Sequence, residues 1–307
     1  MRVLVANPIS DEGVKMMRDA GHEVDVKTEL TPEELVKAVR GYEAIVVRSA
    51  TKVTDKVIEA GKDFKLIVRG GVGVDNIDMK AAKKAGIPVV NTPEANSVSV
   101  AELAIGHMLA LSRHIPLGTS TLKAGKWEKK ALRGVEVWKK TLGLIGFGRI
   151  GREVAKRALG LEMTVIAYDP YVKKIAGLKV ELVPLDELLL RSDFISLHLP
   201  LSDETKHMLG KRQFAMMKDG VSIVNCARGG IVDEQALYDA LKSGKVRGAA
   251  LDVFEVEPPT GNKLLELQNV IGTPHIGAAT VEAQGRVGVA VAEKLIEFAT
   301  GGMKPGK

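Results

Sequence analysis

Along the chain, short continuous apolar runs alternate with stretches in which apolar positions recur every third or fourth residue. "RVLVAN", "HEVDVK", "EAIVVRS", "KLIVRGG" and "IPVVNTP" read as strands, and "DEGVKMMRDAG", "PEELVKAVRG" and "MKAAKKAG" as helices, each closed by a glycine. Strands that are apolar on both faces and separated by helices predict a parallel sheet. Next comes "ANSVSVAELAIGHMLALSRHI", which predicts one long buried helix bridging two domains, and then "PLGTSTLKAGKWEKKALRGVEVWKKT", which reads as irregular and polar. A second alternation opens at "LGLIGFGRIG" and continues through the strands "TVIAYD", "DFISLHLP", "VSIVNCA", "GAALDVF" and "NVIGTPHI". Its helices are "REVAKRALG", "PLDELLLRS", "RQFAMMKDG" and "DEQALYDALKSG", with a last one in "VEAQGRVGVAVAEKLIEFATGG". Two such series predict an α/β fold of two doubly wound parallel-sheet domains. No short tandem repeat or low-complexity segment interrupts them.

A length of 307 residues suits two domains, each with its own core. The single cysteine, Cys226, allows no intrachain disulfide and no thiolate metal site. No apolar run reaches the roughly 18 residues that span a bilayer, and "MRVLVANPIS" lacks the cleavage site of a secretory leader. The expectation is a cytoplasmic chain with no metal and no membrane partner. A net charge of +6 raises the question of nucleic acid. Lys and Arg are interspersed with Asp and Glu, however, and at 4% aromatic residues there is little for bases to stack on, so no nucleic-acid partner is expected. The densest basic stretch, "GKWEKKALRG", reads as a solvated loop, and the positive balance suits a small anionic metabolite.

Gly146, Gly148 and Gly151 stand in Gly-x-Gly-x-x-Gly spacing between a strand and a helix. In a dinucleotide site the first glycine allows the tight turn, the second lets backbone approach a pyrophosphate, and the third packs the helix on the strand. Asp169 ends the next strand, 18 residues past Gly151, where a carboxylate binds a ribose 2′-hydroxyl and repels a 2′-phosphate. That favours NAD over NADP, although Lys173 and Lys174 lie close by. A rival loop holds Gly71 and Gly73, but Asn76 occupies its third position. It is expected to play a supporting part, touching substrate.

Hydride transfer needs a proton donor or acceptor and a clamp for the substrate. Arg228 follows the strand "SIVNCA", where its planar fork suits a carboxylate; a salt bridge to a neighbouring helix is the other reading. Glu257 follows the next strand, in "DVFEVEPP", and taken alone is a solvated loop acid. His275 ends "NVIGT", followed by small residues, and taken alone reads as a satisfied core histidine. A carboxylate against a histidine fixes its tautomer and favours its charged form. With the glycine loop upstream, the trio reads as acid/base, partner and clamp.

The glycine loop, "NCARGGIVDEQAL", "ALDVFEVEPP" and "TPHIGAAT", supported by "LHLPLSDETKHML", resemble the signatures of the D-isomer-specific 2-hydroxyacid dehydrogenases over essentially the whole chain. The resemblance implies hydride transfer between NAD and the C2 of a 2-hydroxy acid. In it Arg228 holds the substrate carboxylate, and His275, assisted by Glu257, is the acid/base. It implies cofactor contacts from Val72, Arg149, Ile150, Asp169, Leu199, Cys226, Ala227, Arg228, Asp252, His275, Gly277 and Ala278, beside the three loop glycines.

The segments read alone would give two consecutive domains. The resemblance instead implies a substrate-binding domain of residues 1–96 plus 281–307, with an NAD-binding domain of residues 97–280 inserted and the active site in the cleft between them. It also implies a homodimer through the NAD-binding domains. The long helix near residues 97–115 is a candidate contact, or else internal core.

Within the family, "IVVRSATKVT", "RGGVGVDNID" and "NTPEANSVSVAE" are similar to members that act on a phosphorylated 2-hydroxy acid in serine synthesis. Arg48 and Ser49 would then hold the phosphate, with Asn96, Gly73 and the backbone near Val72 lining the site; a solvated arginine and an N-capping serine are the plain alternative. Members that reduce glyoxylate or hydroxypyruvate, and dinucleotide-sensing corepressors of the same fold, are the other functions considered. Many relatives continue into a serine-binding regulatory domain. This chain stops at "GGMKPGK", so that feedback route is not expected. Val72 stands where some relatives carry a cofactor-contacting threonine.

Overall fold

The computed structural model describes residues 1–302; the last five residues of the expected 281–307 segment lie outside the described residues. The first alternation folds as β1 (Arg2–Val5), α1 (Asp11–Asp19), β2 (Glu23–Val26), α2 (Pro32–Ala38), β3 (Ala44–Val47), α3 (Asp55–Ala60), β4 (Leu66–Arg69), α4 (Met79–Lys84) and β5 (Val89–Asn91). Ser10, Thr31 and Asp78 start α1, α2 and α4 by accepting a hydrogen bond from a first-turn backbone N–H. Next come α5 (Ser97–Ser112) and α6 (Ile115–Lys123). The long helix thus ends before His114, which is left-handed at φ 53°, and the segment expected to be irregular opens with a helix. Because α6 buries none of its residues, the sequence carries no apolar period to mark it.

The second alternation is β6 (Thr141–Ile145), α7 (Arg149–Gly160), β7 (Thr164–Tyr168), β8 (Val180–Leu182), α8 (Leu185–Arg191), β9 (Phe194–Leu197), α9 (Lys211–Met216), β10 (Val221–Asn225), α10 (Glu234–Lys242), β11 (Val246–Leu251) and β12 (Val270–Gly272). The last helix is α11 (Val281–Ala299). Neither α3 nor β8 is among the expected elements; both are short, and β8 is an incompletely buried edge strand. Among the described residues no helix is long and apolar enough to cross a membrane.

The chain divides into two compact units, one of Met1–Asn96 with the segment from Ala278 on, the other of Ser97–Gly277. The second crossing falls at Ala278 rather than at residue 281, because the N–H groups of Ile276 and Gly277 are bound by Asp252 inside the second unit. In the first unit five parallel strands lie in the order β2-β1-β3-β4-β5. Leu4, Ile45, Val47 and Ile67 face Leu35, Val57 and Ile58 from α2 and α3. On the opposite face Val3, Val5, Val46 and Val68 pack with α1 and with Val287, Val291, Ala292 and Leu295 of α11, so the last helix completes the first core.

The second unit has seven parallel strands in the order β12-β11-β10-β9-β6-β7-β8. One face is covered by α8, α9 and α10 through Leu188, Phe214 and Leu237. The other is covered by α7 and by Val100, Ala104, Met108 and Leu111 of α5, so the apolar face of the long helix is internal core. The strand order reverses between β6 and β9, which opens a crevice at the carboxyl ends of the strands. Every loop that carries a candidate residue of this unit leaves from that edge.

Candidate active site

Beyond β6 the chain turns at Gly146, φ +95°, into α7. A Cβ at Gly146 would overlap the His198 carbonyl, and one at Gly151 would overlap the carbonyl oxygen of Gly146, so strand, loop and helix close only with glycine at both. At Gly148 a Cβ would meet nothing within 4 Å, and as the N-cap of α7 this glycine makes no side-chain bond to the first turn. A helix start approached past bare backbone fits a pyrophosphate. Asp169 accepts the Phe147 N–H (2.8 Å) on one oxygen and the Tyr171 N–H (2.9 Å) on the other. It ties the end of β7 to the loop and keeps acceptor capacity for a ribose hydroxyl. Arg149 and Ile150 open α7, and Leu199 lies just past β9, partly buried against the core.

Adjacent strands carry the reactive groups. After β10, the Asn225 side chain accepts the Ala227 N–H and donates to the Arg228 carbonyl, both at 3.0 Å, which shapes the turn presenting Arg228. Nothing local in the sequence distinguishes the Asn225 side chain from any strand-end amide. Cys226 and Ala227 are buried there. Burial, reinforced by the charge of Asp252, pushes the Cys226 thiol up, so it stays protonated and is no nucleophile.

Past β11, Glu257 donates nothing and accepts twice: from Phe254 N–H at 3.1 Å and from His275 Nδ1 at 2.8 Å. Burial pushes the Glu257 carboxyl up, but the hydrogen bond and charge of His275, the Phe254 N–H and the charge of Arg228 together hold it below its ordinary value. An ionised carboxylate only accepts, so Nδ1 carries the proton, and Nε2 is the ring nitrogen left for chemistry. The His275 side chain is 40% exposed, open to a ligand.

Asp252, 1% exposed, accepts the Thr273 hydroxyl (2.6 Å) and the Ile276 N–H (2.8 Å) on Oδ1 and the Gly277 N–H (2.8 Å) on Oδ2. Of about four acceptor positions on a carboxylate, one on Oδ2 remains for a cofactor group. Ala278 opens the segment that returns to the first unit.

The first unit gathers its candidates at the carboxyl edge of its own sheet. Asn7, after β1, accepts the Arg48 N–H at 2.7 Å, and the partly buried Arg48 guanidinium has no carboxylate partner among the described residues. Ser49 beside it is exposed. Asn76 donates to the carbonyls of Arg48 (2.7 Å) and Thr51 (2.6 Å), so the residue that spoils a second glycine motif serves to anchor the loop after β3. The Val72 carbonyl accepts from Asn91, and the Gly71 N–H donates to Thr92, fixing the loop that contains Gly73. Asn96 is buried, and its Oδ1 has no partner among the described residues.

Residues 105–277 match the profile of the D-isomer specific 2-hydroxyacid dehydrogenase, NAD binding domain. The chain belongs to the D-isomer-specific 2-hydroxyacid dehydrogenase family. Its second unit is the NAD-binding domain of that family, and NAD is its cofactor. The chain is 56% identical to the hydroxypyruvate reductase of Thermotoga maritima, over 96% of this chain and 97% of that one. It is 53% identical to the D-3-phosphoglycerate dehydrogenase of Methanocaldococcus jannaschii, over 96% of this chain but 57% of that one. The chain therefore spans little more than half the length of that relative. The NAD-dependent formate dehydrogenase of Staphylococcus aureus, solved in complex with NAD, has a similar structure, with TM-score 0.88 at 31% identity over 99% of this chain and 97% of that one.

Proposed function

We propose that this chain is an NAD-dependent dehydrogenase that oxidises D-3-phosphoglycerate to 3-phosphohydroxypyruvate at the first step of serine synthesis. The observation that carries the reaction class is the His275–Glu257 pair at 2.8 Å: Glu257 follows β11, next to the β10 that leads to Arg228, and His275 follows β12 beyond it, all on the sheet edge that bears the glycine loop. NAD, when bound, supplies the acceptor for the hydride from C2. The Arg228 fork holds the substrate carboxylate through two parallel hydrogen bonds. Glu257 retains the Nδ1 proton, so Nε2 of His275 takes the C2 hydroxyl proton in oxidation and returns it in reduction. Arg48 and Ser49 bind the phosphate, and Asn96, Val72 and Gly73 line the substrate and cofactor site. A partly buried guanidinium without a carboxylate partner among the described residues supports the phosphate role of Arg48. The lone buried thiol supports a cytoplasmic location, since the fold has no use for an oxidising compartment.

A second reading is reduction of hydroxypyruvate or glyoxylate, favoured by the match along 97% of the Thermotoga reductase. The test is NADH oxidation with 3-phosphohydroxypyruvate, hydroxypyruvate and glyoxylate side by side. The proposal expects kcat/KM at least about tenfold higher for the phosphorylated acid, lost in Arg48→Ala, as for removal of a charge-assisted contact. Equal rates on the unphosphorylated acids would keep the dehydrogenase and drop the pathway. No turnover of any would favour a dinucleotide-sensing binding protein.

A further inference from the structure

We infer that His107, on α5, is a positioning residue: through Thr273 it orders the donors at Asp252 and so clamps the backbone that carries His275. His107 is 4% exposed, and its Nε2 lies 3.0 Å from Thr273 Oγ1, which lies 2.6 Å from Asp252 Oδ1. A hydroxyl has one proton to give, and an ionised carboxylate can only accept. The Thr273 proton therefore goes to Asp252, and the Thr273 oxygen accepts from Nε2–H of His107. The direction of the chain is fixed from His107 to Thr273 to Asp252. The same carboxylate takes the N–H groups of Ile276 and Gly277, so its three donors flank His275 on both sides. His275 needs that hold. Its backbone is left-handed at φ 53°, a conformation that costs a non-glycine residue free energy and persists only where the surroundings impose it. Without the His107 N–H, the partly buried Thr273 oxygen lacks that donor, its hydroxyl is free to turn from Asp252, and the clamp loosens. The kinetic consequence rests on the proposed role of His275; the clamp does not.

The test reads amide hydrogen exchange at Ile276 and Gly277 in the unliganded protein, together with steady-state kinetics. His107→Leu is expected to speed exchange at both amides about fivefold, the factor that corresponds to the net worth of one hydrogen bond. It should also lower kcat for reduction about tenfold, with KM for the 2-oxo acid within about twofold. His107→Gln, whose side-chain N–H reaches where Nε2 stood, is expected to restore both to within about twofold. Unchanged exchange in His107→Leu would overturn the clamp, and equal loss in the Leu and Gln variants would reduce His107 to a space-filling role. Should His107→Leu not fold, Thr273→Val removes the same link at nearly constant volume, and unchanged exchange there is equally decisive. If exchange responds but the unaltered protein turns over no 2-oxo acid, the dehydrogenase reading fails and the clamp stands.

Discussion

His275 presents one free ring nitrogen because Glu257 occupies the other, and Glu257 can do so because its carboxyl is held below its ordinary value. Glu257 thus stays ionised at every pH where the protein is expected to work. His275→Ala is expected to cut kcat/KM by about 10²–10⁴, the usual contribution of a positioned acid or base, with the thermal midpoint within a few degrees of the unaltered protein. Glu257→Gln should cost less, about 10–100-fold in kcat/KM, since a neutral amide can turn either its oxygen or its NH2 to the ring and no longer fixes the proton on Nδ1. Activity in Glu257→Gln equal to that of the unaltered protein would remove Glu257 from this role.

His198 makes a second prediction at this scale. Its ring sits behind the glycine loop with Nε2 against Ser196 at 2.8 Å and no partner for Nδ1 among the described residues, and burial pulls its pKa down to about 3. The unfolded chain takes up a proton near pH 6.5 that the folded chain refuses, so stability is full above that value and falls as pH drops towards 3. Urea unfolding should show His198→Gln losing about 1–2 kcal/mol less than the unaltered protein between pH 7 and pH 5. Identical pH dependence would mean that the folded chain protonates this ring as readily as the unfolded one.

The glycine loop, Asp169, Arg228, Glu257 and His275 were legible in the sequence because each follows an apolar strand directly. Asn225, Asn76, Thr273 and His107 were not, for the bonds that give them meaning depend on folded geometry and mostly run to residues far away in the chain.

At the scale of elements, the strands announced themselves through continuous apolar runs, because parallel strands are buried on both faces. Elements that bury little did not: α6 buries none of its residues, and β8 is an edge strand of three. Nor does any local pattern say that α11 returns to the first unit. That follows from Val287, Val291, Ala292 and Leu295 meeting Val3, Val46 and Val68, nearly three hundred residues away at the extreme; in advance, only the family resemblance implied it. Leu295 is fully buried in this cluster, so Leu295→Ala should destabilise the first unit by about 2–5 kcal/mol in urea unfolding. Val281, at the exposed start of the same helix, gives the control: its replacement by Ala should stay within about 0.5 kcal/mol. A small effect at Leu295 would place α11 outside the cooperative core.

For the molecule as a whole, one stretch of the second unit exposes several large apolar side chains. Ile115 is 54% exposed, Leu122 58%, Trp127 81% and Trp138 50%, all within the segment between α5 and β6. Large apolar side chains concentrated in one exposed stretch mark an interaction surface more often than a solvated one. A homodimer joined through the NAD-binding units would cover it. Sedimentation is then expected to give twice the 32.9 kDa of one chain at micromolar concentration, and Leu122→Glu to shift the population towards one chain. Each copy carries a net charge of +6, so added salt should tighten the assembly by screening the repulsion between copies. The chain's only two tryptophans, Trp127 and Trp138, both lie on this segment, so the fluorescence reports on it alone. Dilution should shift their emission to longer wavelength as the rings pass into water, in step with the loss of mass. An emission spectrum that ignores concentration, with a mass of one chain throughout, would mean that the surface has another partner or none.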